Sequence, residues 1–261
     1  MSPAAGPPLV WRREVAVRVV DVGPDERLRP TALIDLFQEE AGHQARAFGL
    51  ETFALPARGG GAPGLGTWVL SRLAVEVSRW PAALEPLTLS TWPSHYDGLR
   101  ASRDFALCDA DGVRVARATS AWFVLDLARR RPTRLPPEVL RFGPPPGQPR
   151  ALSWGAAPEA PQTLETSSTF AVRWADLDRV GHANNARFAE WALEAVPGGL
   201  RETHALAALD VSFQREAVAG DTVASGCGPA EPSGDAVAFA HRIAREGAPL
   251  ALARSVWRVR S

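Results

Sequence analysis

The sequence predicts an α+β protein in which one structural unit occurs twice along the chain. Three observations support this prediction: segments that recur in the same order, one helical pattern followed by several strand patterns in each half, and a proline-rich stretch between the halves. One early helix followed by antiparallel strands is typical of the α+β class. We expect each antiparallel sheet to wrap around its central helix, and the two sheets to pair edge to edge as a pseudo-dimer within one chain.

Segments from the first half recur in the second half in the same order, which indicates an internal duplication. The matching pairs are Ala16–Asp21 with Ala171–Asp176, Leu73–Val77 with Leu209–Phe213, and Ala116–Trp122 with Ala251–Trp257. The second copies follow at shorter intervals, so we expect the second repeat to have shorter loops.

Nine prolines lie between the two copies, from Pro132 to Pro161. Proline removes amide donors and interrupts helices and central strands, so this stretch predicts an extended linker on the surface. We expect an N-terminal repeat over residues 1–140, a linker over 141–164 and a C-terminal repeat over 165–261.

Hydrophobic spacing places the same elements in each repeat. Alternating apolar residues predict strands, and an apolar stripe at intervals of three and four, such as Ile34, Phe37 and Ala41, predicts a helix. In the first repeat we expect strand Glu14–Val20, helix Thr31–Phe48, and strands Trp68–Ser78, Leu87–Trp92, Arg103–Cys108 and Val113–Asp126. In the second we expect strand Thr169–Ala175, helix Asn184–Val196 ended by Pro197-Gly198-Gly199, and strands Leu206–Phe213, Thr222–Gly228, Ala236–Arg245 and Leu250–Arg260.

Composition excludes several classes of function. The 261 residues include 29 basic and 29 acidic side chains, so the formal net charge is zero, and we expect no nucleic-acid partner. No apolar run reaches the roughly 18 residues of a membrane span. The segment Met1–Pro7 does not look like a signal peptide, so the cytoplasm is the expected location. The five histidines lack metal-ligand spacing, so we expect no metal and no cofactor.

The stretch from Asp176 to Asn185 concentrates polar chemistry in ten residues, D-L-D-R-V-G-H-A-N-N. It follows a predicted strand and opens a predicted helix, whose first amides are unpaired and positively polarised. An oxyanion would be stabilised there. Asp178 and His182 can face one small volume, the carboxylate as nucleophile or base and the imidazole as a group that orients water or binds a carbonyl oxygen. Caps and turn residues at a helix start are the structural alternative.

This string resembles the D-x-D-x-x-G-H-x-N-N motif of hot-dog-fold thioesterases, and the tandem arrangement resembles the acyl-ACP thioesterase family. The resemblance extends over nearly the whole chain. It includes Thr31–His43, Thr67–Leu73, Ser90–Pro93, Arg130–Pro132 and Gln214–Ala217. The family implies a fold of two hot-dog repeats and an activity that hydrolyses fatty acyl-ACP.

The resemblance also implies catalytic residues: Asp178, His182 and Glu216. Two positions depart from the family pattern, because Val180 replaces an asparagine and Ala217 replaces a cysteine that often follows the glutamate. The division of labour between the two carboxylates therefore stays open.

We expect one active site per chain, because Asp178 aligns with Gly23 in the first repeat. The first repeat would then supply an acyl tunnel. The substrate-binding candidates are Gly181 and Asn184 at the motif, Gln38 for the pantetheine or acyl part, and the apolar residues Ile34, Phe37 and Trp68 as walls.

The implied partner is acyl carrier protein, and arginines 129, 130, 131 and 134 are the candidate patch for this acidic protein. Two alternatives stay open: a hot-dog thioesterase acting on acyl-CoA or polyketide-type thioesters, and a non-catalytic acyl-binding module. The protein could be a monomer, as a covalent pseudo-dimer, or a homodimer. The sequence does not define the acyl chain length.

Overall fold

The computed structural model describes residues 7–51, 53–55, 64–231 and 234–260. The expectation about a signal peptide falls mainly on residues 1–6, which lie outside this range. The first repeat contains β1 (Trp11–Ala16), α1 (Pro30–Ala47), β2 (Phe53–Leu55), β3 (Gly64–Val77), β4 (Pro86–Tyr96), β5 (Arg100–Cys108), β6 (Arg114–Asp126), β7 (Arg131–Thr133) and α2 (Pro137–Leu140). The second contains β8 (Thr166–Ala171), α3 (Asn185–Glu194), α4 (Gly198–Thr203), β9 (His204–Phe213), β10 (Thr222–Pro229), β11 (Val237–Arg245) and β12 (Ala248–Val259).

The described residues form one antiparallel sheet, in which ten strands follow the order β1-β4-β5-β6-β3-β9-β12-β11-β10-β8, while β2 pairs with β3 and β7 with β6. The two halves of the sheet join where β3 pairs with β9, in a register that places Arg72 opposite Ser212 and Glu76 opposite Ala208. This edge-to-edge pairing confirms the predicted α+β arrangement of a pseudo-dimer within one chain.

Helices α1 and α3 contact each other, and both contribute buried side chains to one shared core. Helix α1 contributes Leu33, Ile34 and Phe37, and α3 contributes Phe188 and Trp191. Inward-facing residues of strands from both repeats complete the same core. Because apolar burial stabilises in proportion to buried area, this shared core fixes the two repeats against each other.

The first strand of each repeat ends earlier than predicted, and in the same way. The chain leaves β1 at Ala16 and β8 at Ala171, and forms short 3-10 turns at Val19–Asp21 and Trp174–Asp176. In each turn an arginine three residues before the aspartate donates hydrogen bonds to its carboxylate. These local hydrogen bonds replace continued pairing in the sheet. The strands therefore end although the alternation of apolar residues continues in the sequence.

Proline also starts short helices that were not predicted. Helix α2 has Pro137 in its first turn, where a missing amide costs nothing. Helix α3 ends at Glu194, two residues before its predicted end at Val196, and Pro197 is the N-cap residue of α4, which begins at Gly198.

Residues 151–163, within the predicted linker, cross the outer face of the sheet. The amide of Ala151 donates to Asp104 Oδ2 on β5 at 2.6 Å. Over the β3–β9 seam, the Arg72 guanidinium lies 4.7 Å from the Trp154 ring and donates to Asp210 at 2.6 Å. On β10, a Cβ at Gly228 would lie 1.9 Å from the carbonyl oxygen of Thr163. Glycine at position 228 therefore permits the close approach of Thr163 to β10.

No helix in the described part of the chain is both long and apolar enough to cross a membrane. Within the same residues, no three His, Cys, Asp or Glu side chains form a group that could hold a metal ion. The expectations that the protein uses no metal and no cofactor stay predictions.

Candidate active site

The loop from β8 to α3 is anchored by Asp176, whose side chain is buried. Its carboxylate accepts hydrogen bonds from the Arg173 backbone amide at 2.8 Å and from the Arg173 guanidinium. The side-chain hydrogen bond to Arg173 is the main reason that the pKa of Asp176 is lowered. The Asp176 carbonyl also accepts from the amide of Asn184 at 2.8 Å. Asp176 thus fixes both ends of the loop.

Asp178 shapes the middle of this loop. Its Oδ1 accepts from the amides of Val180 at 2.9 Å and His182 at 3.2 Å, while its own amide donates to the His182 carbonyl at 2.7 Å. Gly181 has a φ of +87°, a left-handed conformation that glycine adopts without steric cost. The Asp178 side chain is exposed, and among the described residues no hydrogen bond or ion pair joins it to Glu216. The bonds that Asp178 makes are therefore all to the backbone of its own loop, and its role as nucleophile or base stays a prediction.

His182 and Glu216 are brought together from separate elements. His182 Nε2 lies 3.8 Å from Glu216 Oε2, and their side chains are 40% and 44% exposed, so a substrate can reach both. The other carboxylate oxygen, Oε1, accepts from Arg130 of the first repeat at 2.8 Å. A carboxylate beside an imidazole can serve as a general base with its orienting partner.

Helix α3 begins at Asn185, one residue after its predicted start at Asn184. The amide of Ala183 is unavailable to substrate because it donates to the Ala217 carbonyl at 2.8 Å. Asn184 is the N-cap residue, and its Oδ1 accepts from the amide of Ala186 at 2.9 Å. Among the described residues, the amide of Asn185 donates no hydrogen bond, so it is the candidate donor for an oxyanion at this helix end.

Gln38 of α1 reaches across the repeat boundary to the start of α3. Its Nε2 donates to Asn184 Oδ1 at 3.2 Å, and its Oε1 accepts from Asn185 Nδ2 at 2.7 Å. The structure therefore places Gln38 at the site, but with its amide bound to the second repeat. A role in substrate binding stays a prediction.

Sequence reasoning missed Asp35, one turn before Gln38 on the same side of α1. One carboxylate oxygen of Asp35, Oδ1, is buried without a hydrogen-bond partner, and Oδ2 lies 3.8 Å from Arg187 of α3. Burial raises the pKa of Asp35, while Arg187 and a hydrogen bond from Asn184 oppose the rise. The three-residue spacing of Asp35 and Gln38 was a signal that could have identified this polar face.

The apolar candidates do not form one wall. Phe37 is buried in the core and stacks on Phe105, with ring centroids 4.9 Å apart. Trp68 donates from Nε1 to the Leu50 carbonyl at 2.9 Å and packs in a separate small cluster. Ile34 lines a shallow apolar depression that is partly open to solvent. Its lining residues are Pro30, Leu33, Ile34, Val75, Val77, Trp80, Leu206, Ala208 and Leu209.

The equivalent loop of the first repeat has the same backbone but different chemistry. The amide of Gly23 donates to the Arg27 carbonyl at 2.8 Å, as the amide of Asp178 does to the His182 carbonyl. Glu26, at the position equivalent to Gly181, also has a positive φ. The amide of Leu28 donates to the Pro81 carbonyl, and this hydrogen bond is equivalent to the one from the Ala183 amide to the Ala217 carbonyl.

This match places Gly23, Arg27 and Trp80 at the positions of Asp178, His182 and Glu216. The first repeat thus has no carboxylate at either of the two equivalent acidic positions. The catalytic residues predicted from the resemblance lie only in the second repeat.

Two fused units, each a sheet wrapped around a helix, with a polar loop at the start of the second helix, define a tandem hot-dog protein. Within that class, the chain belongs to the acyl-ACP thioesterase family. The family model for the acyl-ACP thioesterase N-terminal domain matches residues 8–142, and the model for the C-terminal domain matches residues 159–259.

Similar proteins agree with this assignment. A chloroplastic acyl-[acyl-carrier-protein] hydrolase of Cuphea viscosissima is 27% identical over 95% of this chain, and a chloroplastic dodecanoyl-[acyl-carrier-protein] hydrolase of Cinnamomum camphora is 28% identical over 80%. The chain spans 62% and 56% of the lengths of these relatives. The structure of a 12:0-ACP thioesterase from Umbellularia californica matches with a TM-score of 0.82 and 24% identity, over 97% of this chain and 95% of that one. This structural similarity supports the assignment of the fold.

Proposed function

We propose that this chain hydrolyses the thioester of fatty acyl-ACP to free fatty acid and ACP. The observation that carries the proposal is the pairing of His182 Nε2 with Glu216 Oε2, 3.8 Å apart, beside the start of α3 in a member of the acyl-ACP thioesterase family. Both side chains are accessible, and both stand at positions that the family motif assigns to catalysis.

Water attacks the thioester carbonyl carbon in the proposed reaction, and Glu216 accepts a proton from that water. The amide of Asn185 donates to the developing oxyanion. The carbon–sulfur bond then breaks, the thiolate leaves beside His182, and the proton held by Glu216 passes to the sulfur. One water is consumed, and a carboxylic acid and a thiol are formed.

We propose that Asp178 contributes to the reaction by holding the loop that carries His182, and two substitutions test that role. Asparagine keeps an Oδ1 acceptor for the amides of Val180 and His182, so we expect kcat of Asp178→Asn to stay within about tenfold of the wild type. Alanine removes both bonds and should lower kcat about 100-fold, since a misplacement of about 1 Å has that cost. Steady-state kinetics on acyl-ACP would measure both. Equal inactivity of the two variants would instead mean that the carboxylate itself reacts.

The acidic carrier is proposed to dock on exposed arginines beside the site. Of the predicted patch, Arg129 pairs with Asp126 and Arg130 with Glu216, which leaves Arg131 and Arg134 exposed without a partner in the described part of the chain. We expect the double variant Arg131→Glu with Arg134→Glu to raise KM for acyl-ACP at least about tenfold at low salt, because like charges repel the carrier. KM for a small acyl thioester without a carrier should not change. An equal rise for both substrates would exclude docking as the cause.

Thiol release from acyl-ACP, measured with a thiol-trapping reagent, tests the proposed activity directly. Faster release from acyl-CoA carrying the same acyl group would favour the CoA alternative, and tight acyl binding without release would favour a binding module. A panel of graded acyl lengths would define the chain length.

The proposed site draws every group from one chain, namely Gln38 and Arg130 from the first repeat and His182 and Glu216 from the second. We therefore propose that a monomer is sufficient for activity, with a homodimer as the alternative that sedimentation would detect. A cytoplasmic location stays a prediction, and the names of the curated relatives place those proteins in the chloroplast.

A further inference from the structure

The turn that joins β6 to β7 in the first repeat is built around Asp126. This aspartate is buried, and its Oδ1 accepts from the amides of Ala128 and Arg129, both at 3.0 Å, while its carbonyl accepts from the amide of Arg130 at 2.7 Å. The amide of Arg129 and the other hydrogen bonds lower the pKa of Asp126. The carboxylate thus holds the turn in one conformation.

Arg130 occupies an unfavourable conformation at the end of this turn. Its φ is +52°, a left-handed value that side-chain-bearing residues rarely adopt. The hydrogen bond from the Arg130 amide to the Asp126 carbonyl helps to hold this conformation. The Arg130 side chain extends from the first repeat to Glu216 of the second.

The Arg130 guanidinium contacts the proposed general base. Its Nη2 donates to Glu216 Oε1 at 2.8 Å, and the opposite oxygen of that carboxylate, Oε2, is the one 3.8 Å from His182 Nε2. The three side chains therefore form a row, with the carboxylate between the guanidinium and the imidazole. A glutamate on an exposed loop has free rotation about its side-chain bonds unless one oxygen is held.

We infer that Arg130 is a positioning residue of the first repeat, which holds Glu216 so that its second oxygen faces His182. This inference rests on the proposed function and adds a contribution of the N-terminal repeat to catalysis in the C-terminal one. The side chain of Arg130 is 74% exposed, and exposed ion pairs contribute little to stability. The contact therefore matters for the orientation of Glu216, while the fold does not depend on it.

A double-mutant cycle tests the inference, with Arg130→Ala, Glu216→Gln and the combined variant assayed on a small acyl thioester that lacks the carrier. We expect Arg130→Ala to lower kcat at least about tenfold with KM nearly unchanged, and Arg130→Lys to restore most of the loss. In the Glu216→Gln background, Arg130→Ala should change kcat by less than about twofold, because residues that act through one another are not additive. Arg12→Ala, an exposed arginine on β1, is the matched control and should behave as wild type.

Two kinetic outcomes would overturn the inference: a rise in KM for acyl-ACP alone with normal kcat, which means carrier docking, or an undiminished effect of Arg130→Ala in the Glu216→Gln background. A crystal structure of the Arg130→Ala variant gives a readout that does not need activity. We expect the Glu216 carboxylate to move away from His182, and an unchanged Oε2 to Nε2 distance would contradict the inference. Absence of thiol release by the wild type, with displacement of Glu216 in the variant, would reject the proposed function and leave the positioning contact supported.

Discussion

Replacing Glu216 by glutamine is expected to lower kcat for acyl-ACP about 100- to 10,000-fold, the usual cost of removing a general base. The amide cannot accept a proton from water, although it can still accept a hydrogen bond from Arg130. The site geometry should therefore survive while the proton transfer is lost. Single-turnover thiol release would separate this chemical step from substrate binding.

The control for this variant is another glutamate in the same repeat. Glu202 of α4 is exposed and makes no hydrogen bond or ion pair in the described part of the chain, so Glu202→Gln should keep wild-type turnover. Both variants should melt within a few degrees of the wild type, because Glu216 is also partly exposed. If Glu216→Gln retained more than about a tenth of the wild-type kcat, the general base would lie elsewhere.

The order of the long strands and of α1 and α3 could be predicted because most of these elements bury one apolar face in the core. The alternation of Leu73, Val75 and Val77 in β3 and the apolar stripe of α1 each encode that face locally, and the recurrence of segments showed that the second sheet repeats the first. The ends of β1 and β8 could not be predicted in this way. There the apolar alternation continues, as at Val17 and Val19, but hydrogen bonds between Arg18 and Asp21 turn the chain out of the sheet.

The candidate site was predictable to the extent that it lies in one contiguous motif. His182 and Gly181 are identified by their spacing and by the resemblance, and the structure brings His182 to Glu216. Of the groups that the first repeat contributes, Gln38 was predicted, whereas Arg130 was assigned only to carrier docking and Asp35 was missed. The spacing of Asp35 and Gln38 marks a polar face of α1, but the contacts of Asp35 and Arg130 with the second repeat arise from tertiary packing and are not encoded by that spacing.

Substitution of Phe37 tests whether this part of the first repeat is a packed core or an acyl tunnel. The side chain is 1% exposed and stacks on Phe105 inside the core that joins both repeats. Truncating a fully buried phenylalanine leaves a cavity, so we expect Phe37→Ala to lower the free energy of unfolding by about 3–5 kcal/mol. Urea unfolding followed by tryptophan fluorescence would measure the loss.

If Phe37 were a tunnel wall, as predicted from the sequence, its substitution would have a different effect on stability and on acyl preference. A residue that lines an acyl tunnel faces space that substrate fills, so its truncation would admit longer acyl chains and cost little stability in the free protein. Phe37→Leu keeps enough volume to fold and allows acyl preference to be measured beside unfolding. Leu99→Ala, at a side chain that is 52% exposed, should leave both properties unchanged. A shift of Phe37→Leu toward longer acyl-ACPs, with the stability of Phe37→Ala near that of the wild type, would place the acyl chain against α1.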